Sequence, residues 1–333
     1  MNTPKLKEGG RMLTPYYLHT MEGDATDAIQ KILNEYRVCM LGPGTYTVIG
    51  IQMPEGSTLS GMGAATKLKL REDVDDGYAV RIRSYCTVRD LAFDGGAEKL
   101  ESLGKRHGVA FLGNATGSDW QGQDQHAIIR GCFFSGFSGG GIYGKDTGYS
   151  CRSAMAVSDC HMIACGAGIY LEHFSEYHMF TNVLCNGCLY GCINNGGNNV
   201  FVNCGFNENE IAFLIDNSMG QSINNSHGSV IGCTFNHSGN NKGIGIQLMK
   251  ANVGYIFSGC QMFYSKIVLE NCVNIVFEGF NFGRNMEISI KGGKMTLFSN
   301  SVFYSAPKIL NVTDNETVRF SQCYTTDGEE VTV

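Results

Sequence analysis

Val200-Phe-Val-Asn-Cys-Gly-Phe206, the core of a stretch running from Asn182 to Phe206, decides the fold of this chain. Its phrase is an apolar pair, a small or polar residue, Cys, any residue, then Phe. The phrase returns as Ile128-Ile-Arg-Gly-Cys-Phe-Phe134, Val230-Ile-Gly-Cys-Thr-Phe235, Phe257-Ser-Gly-Cys-Gln-Met262 and Phe277-Glu-Gly-Phe-Asn-Phe282. With Cys as the register mark, the marks run from Met62 and Leu91 through Cys132, Cys160, Val183, Cys204, Cys233, Cys260, Phe280 and Ser301 to Cys323. Most intervals lie in the twenties; the longest, 41 residues, separates Leu91 from Cys132. A period of that size with strand-type alternation predicts stacked β-coils.

Alternate residues of a strand face the same side, so Cys204 and Phe206 are expected to point inward while Asn203 and Gly205 point out. Coils stack about 4.8 Å apart, so equivalent side chains form columns. A second apolar burst follows each mark, as in Gly168-Ile-Tyr-Leu171 and Ile211-Ala-Phe-Leu-Ile215. Each coil therefore holds at least two strands. The expected fold is all-β, a right-handed parallel β-helix of about eleven coils and roughly 50 Å.

The 333 residues suffice for one large solenoid domain. Net charge is −6, from 25 basic and 31 acidic residues, with no basic block. That argues against nucleic acid as a partner, because neutralising phosphates takes clustered Lys and Arg. The 44 glycines and 5 prolines suit tight turns. Six of the 14 cysteines occupy the mark, where a free thiol packs as a small hydrophobe. Cys185, Cys188 and Cys192 lack a second cluster at metal-finger spacing. The first ten residues contain no apolar leader core, and no run approaches membrane-span length, so no membrane insertion is expected.

Residues 1–22 read as an N-terminal arm and 23–61 as a capping helix with opening strands. The β-helix occupies 62–333, with an insertion at about 95–125. In Gly23-Asp-Ala-Thr-Asp-Ala-Ile-Gln30, Asp24 or Thr26 can cap a helix whose Ala28, Ile29, Ile32, Leu33 and Tyr36 share one face. Such a helix would close the apolar end of the first coil.

That opening, followed by Pro43-Gly-Thr-Tyr46 and Gly56-Ser-Thr-Leu-Ser-Gly-Met-Gly63, resembles the start of the pectate-lyase-like right-handed parallel β-helices. Within that superfamily it is most similar to phage tail-spike and appendage proteins. The resemblance implies a homotrimer with rods side by side, a bacterial surface polysaccharide as ligand and other virion proteins as partners. It implies assembly in the bacterial cytoplasm and residence in the virion, and the cysteine load suits a reducing compartment. Two other readings compete: a stand-alone extracellular bacterial polysaccharide lyase or glycoside hydrolase, and a non-catalytic structural rod of the virion. The chain lacks the combined Asn-Thr-Asp, Asp-Asp and Gly-His-Gly set of polygalacturonases and the Arg-x-Pro-x-x-Arg of pectate lyases. No catalytic role therefore carries over residue by residue.

Glycoside cleavage takes two carboxyl groups, about 5–5.5 Å apart in retaining and about 6.5–9.5 Å in inverting enzymes. Twelve residues past successive marks stand Glu172, Asn195 and Asp216. Glu172 and Asp216 are thus expected two coils apart and serve as the candidate acid and base, with Glu176 as substitute partner. Glu172-His-Phe-Ser-Glu-Tyr-His178 is the densest ionisable and aromatic cluster, giving His173 and His178 as orienting or sugar-contacting groups. Tyr143, Tyr170, Tyr177 and Trp120 offer ring faces to a pyranose, and Asp119 and Asp124 flank that tryptophan. Asn195 and the neighbouring asparagines serve as turn formers as readily as sugar contacts. Glu172, His173 and His178 lack a fourth ligand, so neither metal nor cofactor is expected. Outward Phe133, Leu184 and Phe263 suit burial between copies and equally cover by turns.

Overall fold

The computed structural model describes residues 16–19, 21–112, 126–145, 154–218, 227–240, 243–312 and 318–332. The chain forms the expected right-handed parallel β-helix. A typical coil holds three short strands, as in Asn199–Val202, Gly205–Asn207 and Ile211–Asp216, which join the first, second and third of three parallel ladders; Thr58–Leu70 and Thr87–Asp94 each span the first two. The third ladder has eleven strands, from Ile51–Gln52 to Lys308–Leu310, which sets the number of complete coils among the described residues.

Inward positions form the core. In the first ladder Phe180 pairs with Phe201, and Phe257 with Phe277 and then Phe298. The rings of Phe180 and Phe201 stack at 4.9 Å, and those of Phe277 and Phe298 at 4.7 Å. Each buried phenylalanine contributes roughly 1.5–3 kcal/mol by leaving water, and stacking adds to it.

The register mark is a corner rather than a strand position. In ten successive coils the residue before the mark has positive φ: Asp90, Gly131, Asp159, Asn182, Asn203, Gly232, Gly259, Gly279, Asn300 and Gln322. Asn, Asp and Gly reach this left-handed conformation at low cost, which explains their recurrence there. The mark cysteine is also more than a small hydrophobe. Cys204 Sγ donates to the Val202 carbonyl at 3.4 Å, and Cys233 Sγ accepts the Cys204 N–H at 3.2 Å. Ser301 does the same work, donating to the Ser299 carbonyl at 2.8 Å and accepting the Phe280 N–H at 3.1 Å. All thirteen described cysteines are buried free thiols.

The third ladder approaches the second closely. A Cβ on Gly168 would lie 2.5 Å from Cys185 Sγ, and one on Gly141 3.0 Å from Met162. Only a residue without a side chain fits between these layers.

The helix spans Thr26–Tyr36 and buries Ile29, Ile32 and Leu33; Ala28 and Tyr36 stay half-buried. Asp24 Oδ1 accepts the Thr26 N–H at 2.8 Å. The Gln30 amide bonds both the carbonyl and the N–H of Gln52, at 2.8 Å each. It thereby satisfies the open edge of the third ladder while the apolar face covers the first coil. The strand Tyr16–Leu18 of the arm pairs in parallel with Cys39–Leu41.

Three expectations change. Met62 is 52% exposed, because the strand Thr58–Leu70 shifts register on both sides of Gly63. The same strand runs unbroken across the expected boundary at 61/62. The 95–125 excursion is not one insertion: Lys105–Phe111 is a regular strand of the third ladder. Phe133, Leu184 and Phe263 are half-buried on the outer side of the second ladder. No helix among the described residues is long and apolar enough to cross a membrane.

Candidate functional site

The outer face of the third ladder holds a groove of about 620 Å³ over the second to fifth coils. Its strands are Asp76–Ile82, Lys105–Phe111, Gly140–Gly144 and Ala167–Leu171. Asp76, Tyr78, Lys105, His107, Tyr143, Lys145, Tyr170 and Glu172 line it and supply its chemistry. This volume suits a sugar-sized ligand.

Register brings the aromatic groups together. Tyr78 stands opposite His107, and Tyr143 opposite Tyr170. Tyr143 also neighbours Ala110, whose small side chain leaves space. The Tyr143 ring lies flat on the His107 imidazole, with centroids 3.9 Å apart and planes inclined by 8°. His107 Nδ1 accepts the Gly140 N–H at 2.9 Å, so its proton sits on Nε2. Burial lowers its pKa to about 4, and the ring is neutral at pH 7.

Glu172 closes the groove on one side. Its Oε1 accepts the Tyr143 hydroxyl at 2.7 Å. Burial, and then the Glu172 carboxylate, push the Tyr143 phenol well above its ordinary range, so it keeps its proton and donates. Tyr170 is raised by the same two causes. On the other side, Lys105 Nζ lies 3.3 Å from an Asp76 carboxylate oxygen, both side chains exposed.

Glu172 follows Leu171, which pairs with Asn194, and Ile193 pairs with Leu214. Glu172, Asn195 and Asp216 therefore occupy one column, with Glu172 and Asp216 two coils apart. Asn195 Oδ1 accepts the Asp216 N–H at 2.8 Å, a backbone-satisfying role. Asp216 Oδ1 accepts both the backbone N–H, at 2.8 Å, and the hydroxyl of Ser218. Asp216 does not line the groove.

Two ionisable members of the Glu172–His178 cluster, Glu176 and His178, turn inward. His178 is 1% exposed, so it cannot touch a sugar. Its Nδ1 accepts the Met155 N–H at 3.1 Å, and its Nε2 bonds Ser175 Oγ at 2.9 Å. Asn199 joins this network to Asn194, and Asn194 to Tyr255. Burial lowers the His178 pKa to about 3. Glu176 is 3% exposed, which removes it as a substitute catalytic partner. A Cβ on Gly197 would lie 2.9 Å from both Glu176 Oε1 and His227 Nδ1, placing those groups over one point inside the corner. His173 is half-buried, and its Nδ1 has no hydrogen-bond partner among the described residues. Tyr177 is 43% exposed, at a corner with positive φ leading into the first ladder. Trp120, Asp119 and Asp124 lie outside the described residues.

The sequence reading missed Asp76, Tyr78, Lys105 and His107 as site residues. Treating 95–125 as an insertion hid the strand of Lys105 and His107, and with it the partner of the strand that carries Asp76 and Tyr78. Aligning Gly108-Val-Ala-Phe111 with Gly141-Ile-Tyr-Gly144 and Gly168-Ile-Tyr-Leu171 would have exposed it.

Fold and groove together define a parallel β-helix with an aromatic, carboxylate-bearing cleft along one face. Solved structures share this fold. The A-module of mannuronan C-5 epimerase AlgE4 from Azotobacter vinelandii matches with a TM-score of 0.69 at 14% identity, over 91% of each chain. The enzymatically active domain of tailspike protein 2 of bacteriophage CBA120 matches at 0.58 and 13%, over 87% of this chain and 45% of that one. The catalytic domain of a GH87 α-1,3-glucanase, solved with nigerose, matches at 0.58 and 11%, over 96% of this chain and 66% of that one. At these identities what is shared is the fold. No protein-family model matches the sequence, and no curated protein matches it.

Proposed function

We propose that this protein is a phage tail-spike or appendage protein that binds and cleaves a bacterial surface polysaccharide in the third-ladder groove. The observation that carries the reading is the Tyr143–Glu172 hydrogen bond, which orients a carboxylate beside the aromatic groups of a sugar-sized cleft. The similar structures are named for a mannuronan epimerase, a tailspike and a glucanase, and they support a polysaccharide ligand.

Glu172 is the principal catalytic group, Tyr143 positions it, and Tyr170 contacts the sugar. Asp216 is the second carboxylate, roughly 9.6 Å along the column by strand spacing, near the inverting range. Asp76, which lines the groove, competes with it for that role. The chain works as a side-by-side homotrimer, held to other virion proteins and carried on the virion. A stand-alone bacterial enzyme is the second reading, favoured by the two-way coverage of the AlgE4 module.

Release of reducing ends from capsule and wall glycans tests the proposal, with retention on a glycan array as a second readout. Wild type is expected to release them and Glu172→Gln to lose at least about a hundredfold in rate, the usual scale of a positioned acid or base. Asp216→Asn and Asp76→Asn then identify the partner by which of them loses rate. No release by wild type together with no retention on any glycan would remove the reading.

A further inference from the structure

We propose that the outward face of the first ladder is where a second copy of this chain docks, pointing the same way and in register. The proposal rests on the side-by-side assembly proposed above and adds the face and the orientation.

The free face of a sheet normally carries polar side chains. Here one outward column does not. Ile128 is followed, coil by coil, by Ala156, Met179 and Val200. After Ser229 it resumes with Ile256, Val276 and Leu297. Ile128, Met179 and Ile256 are 44–53% exposed. The column is polar before it starts, at Thr58 and Thr87, and ends at Arg319. Where Ser229 interrupts it, the neighbouring outward column supplies exposed Ile231. The other two faces differ. Gly205, Thr234, Gln261 and Asn281 dilute the second ladder. The third ladder's outward column runs Tyr143, Tyr170, Ile193 and Leu214 out of the groove and is then broken by Gln247 and Ser289, beside ion pairs that set Glu287 3.4 Å from Lys266 and 3.8 Å from Lys308.

The strip is one residue wide, repeats every ~4.8 Å and runs for about eight coils, some 38 Å. A surface that meets it step by step must share that spacing, and another copy of the same rod does. Its strands are three to six residues long, so the face is about 10–20 Å wide and offers about 400–800 Å² per partner, reaching the size of a standard interface at its upper end. Parallel, in-register packing sets Ser229 against Ser229, where two hydroxyls satisfy each other. Antiparallel packing centred on the strip would set Ser229 against Val200 and bury a hydroxyl without a partner.

The test combines sedimentation with cross-linking. Wild type is expected to sediment as an oligomer at micromolar concentration, and Met179→Lys with Ile256→Lys as a 36.2 kDa monomer with unchanged circular dichroism. Ser229→Cys is expected to give a disulfide-linked dimer on mild oxidation, and Gln261→Cys, on the second ladder, none. An oligomer that survives the double lysine change and gives no Ser229→Cys dimer overturns this face and leaves the assembly standing. A wild-type monomer overturns both.

Discussion

Tyr143 and Glu172 lie on adjacent coils of the third ladder, and the phenol donates to Glu172 Oε1 across 2.7 Å. The flat His107 ring holds the tyrosine in place, so the carboxylate is oriented by rigid strands rather than by a loop. Tyr143→Phe keeps the ring stack and removes the donor. Turnover is expected to fall by about ten- to a hundredfold, with little change in thermal stability. Steady-state kinetics beside a melting curve checks this, and an unchanged kcat would refute the positioning role.

Glu172 and Glu176 are four residues apart but answer to different physics. Glu176→Gln is expected to lower stability by about 1–3 kcal/mol, because a buried polar group near His227 loses its match, while per-molecule activity stays near wild type. Urea denaturation with parallel reducing-end assays separates the two. A large loss of turnover at full stability would return Glu176 to the chemistry.

Acid should weaken the fold through His107 and His178, which burial holds near pKa 4 and 3 against an ordinary 6.5. Above pH 6.5 neither group binds a proton in either state, and no penalty exists. Below it the unfolded chain takes up protons that the folded chain refuses, so stability falls with decreasing pH. Each group costs about 1.4 kcal/mol per pH unit, down to its folded pKa. Urea midpoints between pH 7 and pH 4 should show this slope, and His178→Gln should remove about one proton's share. A flat profile would contradict the buried, neutral assignment.

Cys233 accepts the Cys204 N–H and donates to the Ile231 carbonyl. Cys233→Ser should therefore cost little, as Ser301 in the same position indicates. Cys233→Ala should cost about 1–3 kcal/mol by stranding a buried N–H. Equal losses in the two variants would return the mark cysteine to the role of a small hydrophobe.

The repeat spacing, the inward Phe column and the helix over Thr26–Tyr36 are all legible in the sequence, because each follows from short-range periodicity and burial. Even the common column of Glu172 and Asp216 could be counted from the marks. What counting along the chain could not supply is which way a turn folds. Between Glu172 and His178 the chain leaves the third ladder and bends into the rod, so adjacent residues end on opposite sides of the wall. The pairing of His107 with Tyr143 is likewise a contact between coils. It depends on Ala110 being small and on the strand Lys105–Phe111 sitting in register, neither of which a single segment encodes. Strand alternation is local and leaves its mark on every second residue; the side of a corner and the neighbour across a coil are decided only when all three ladders pack at once.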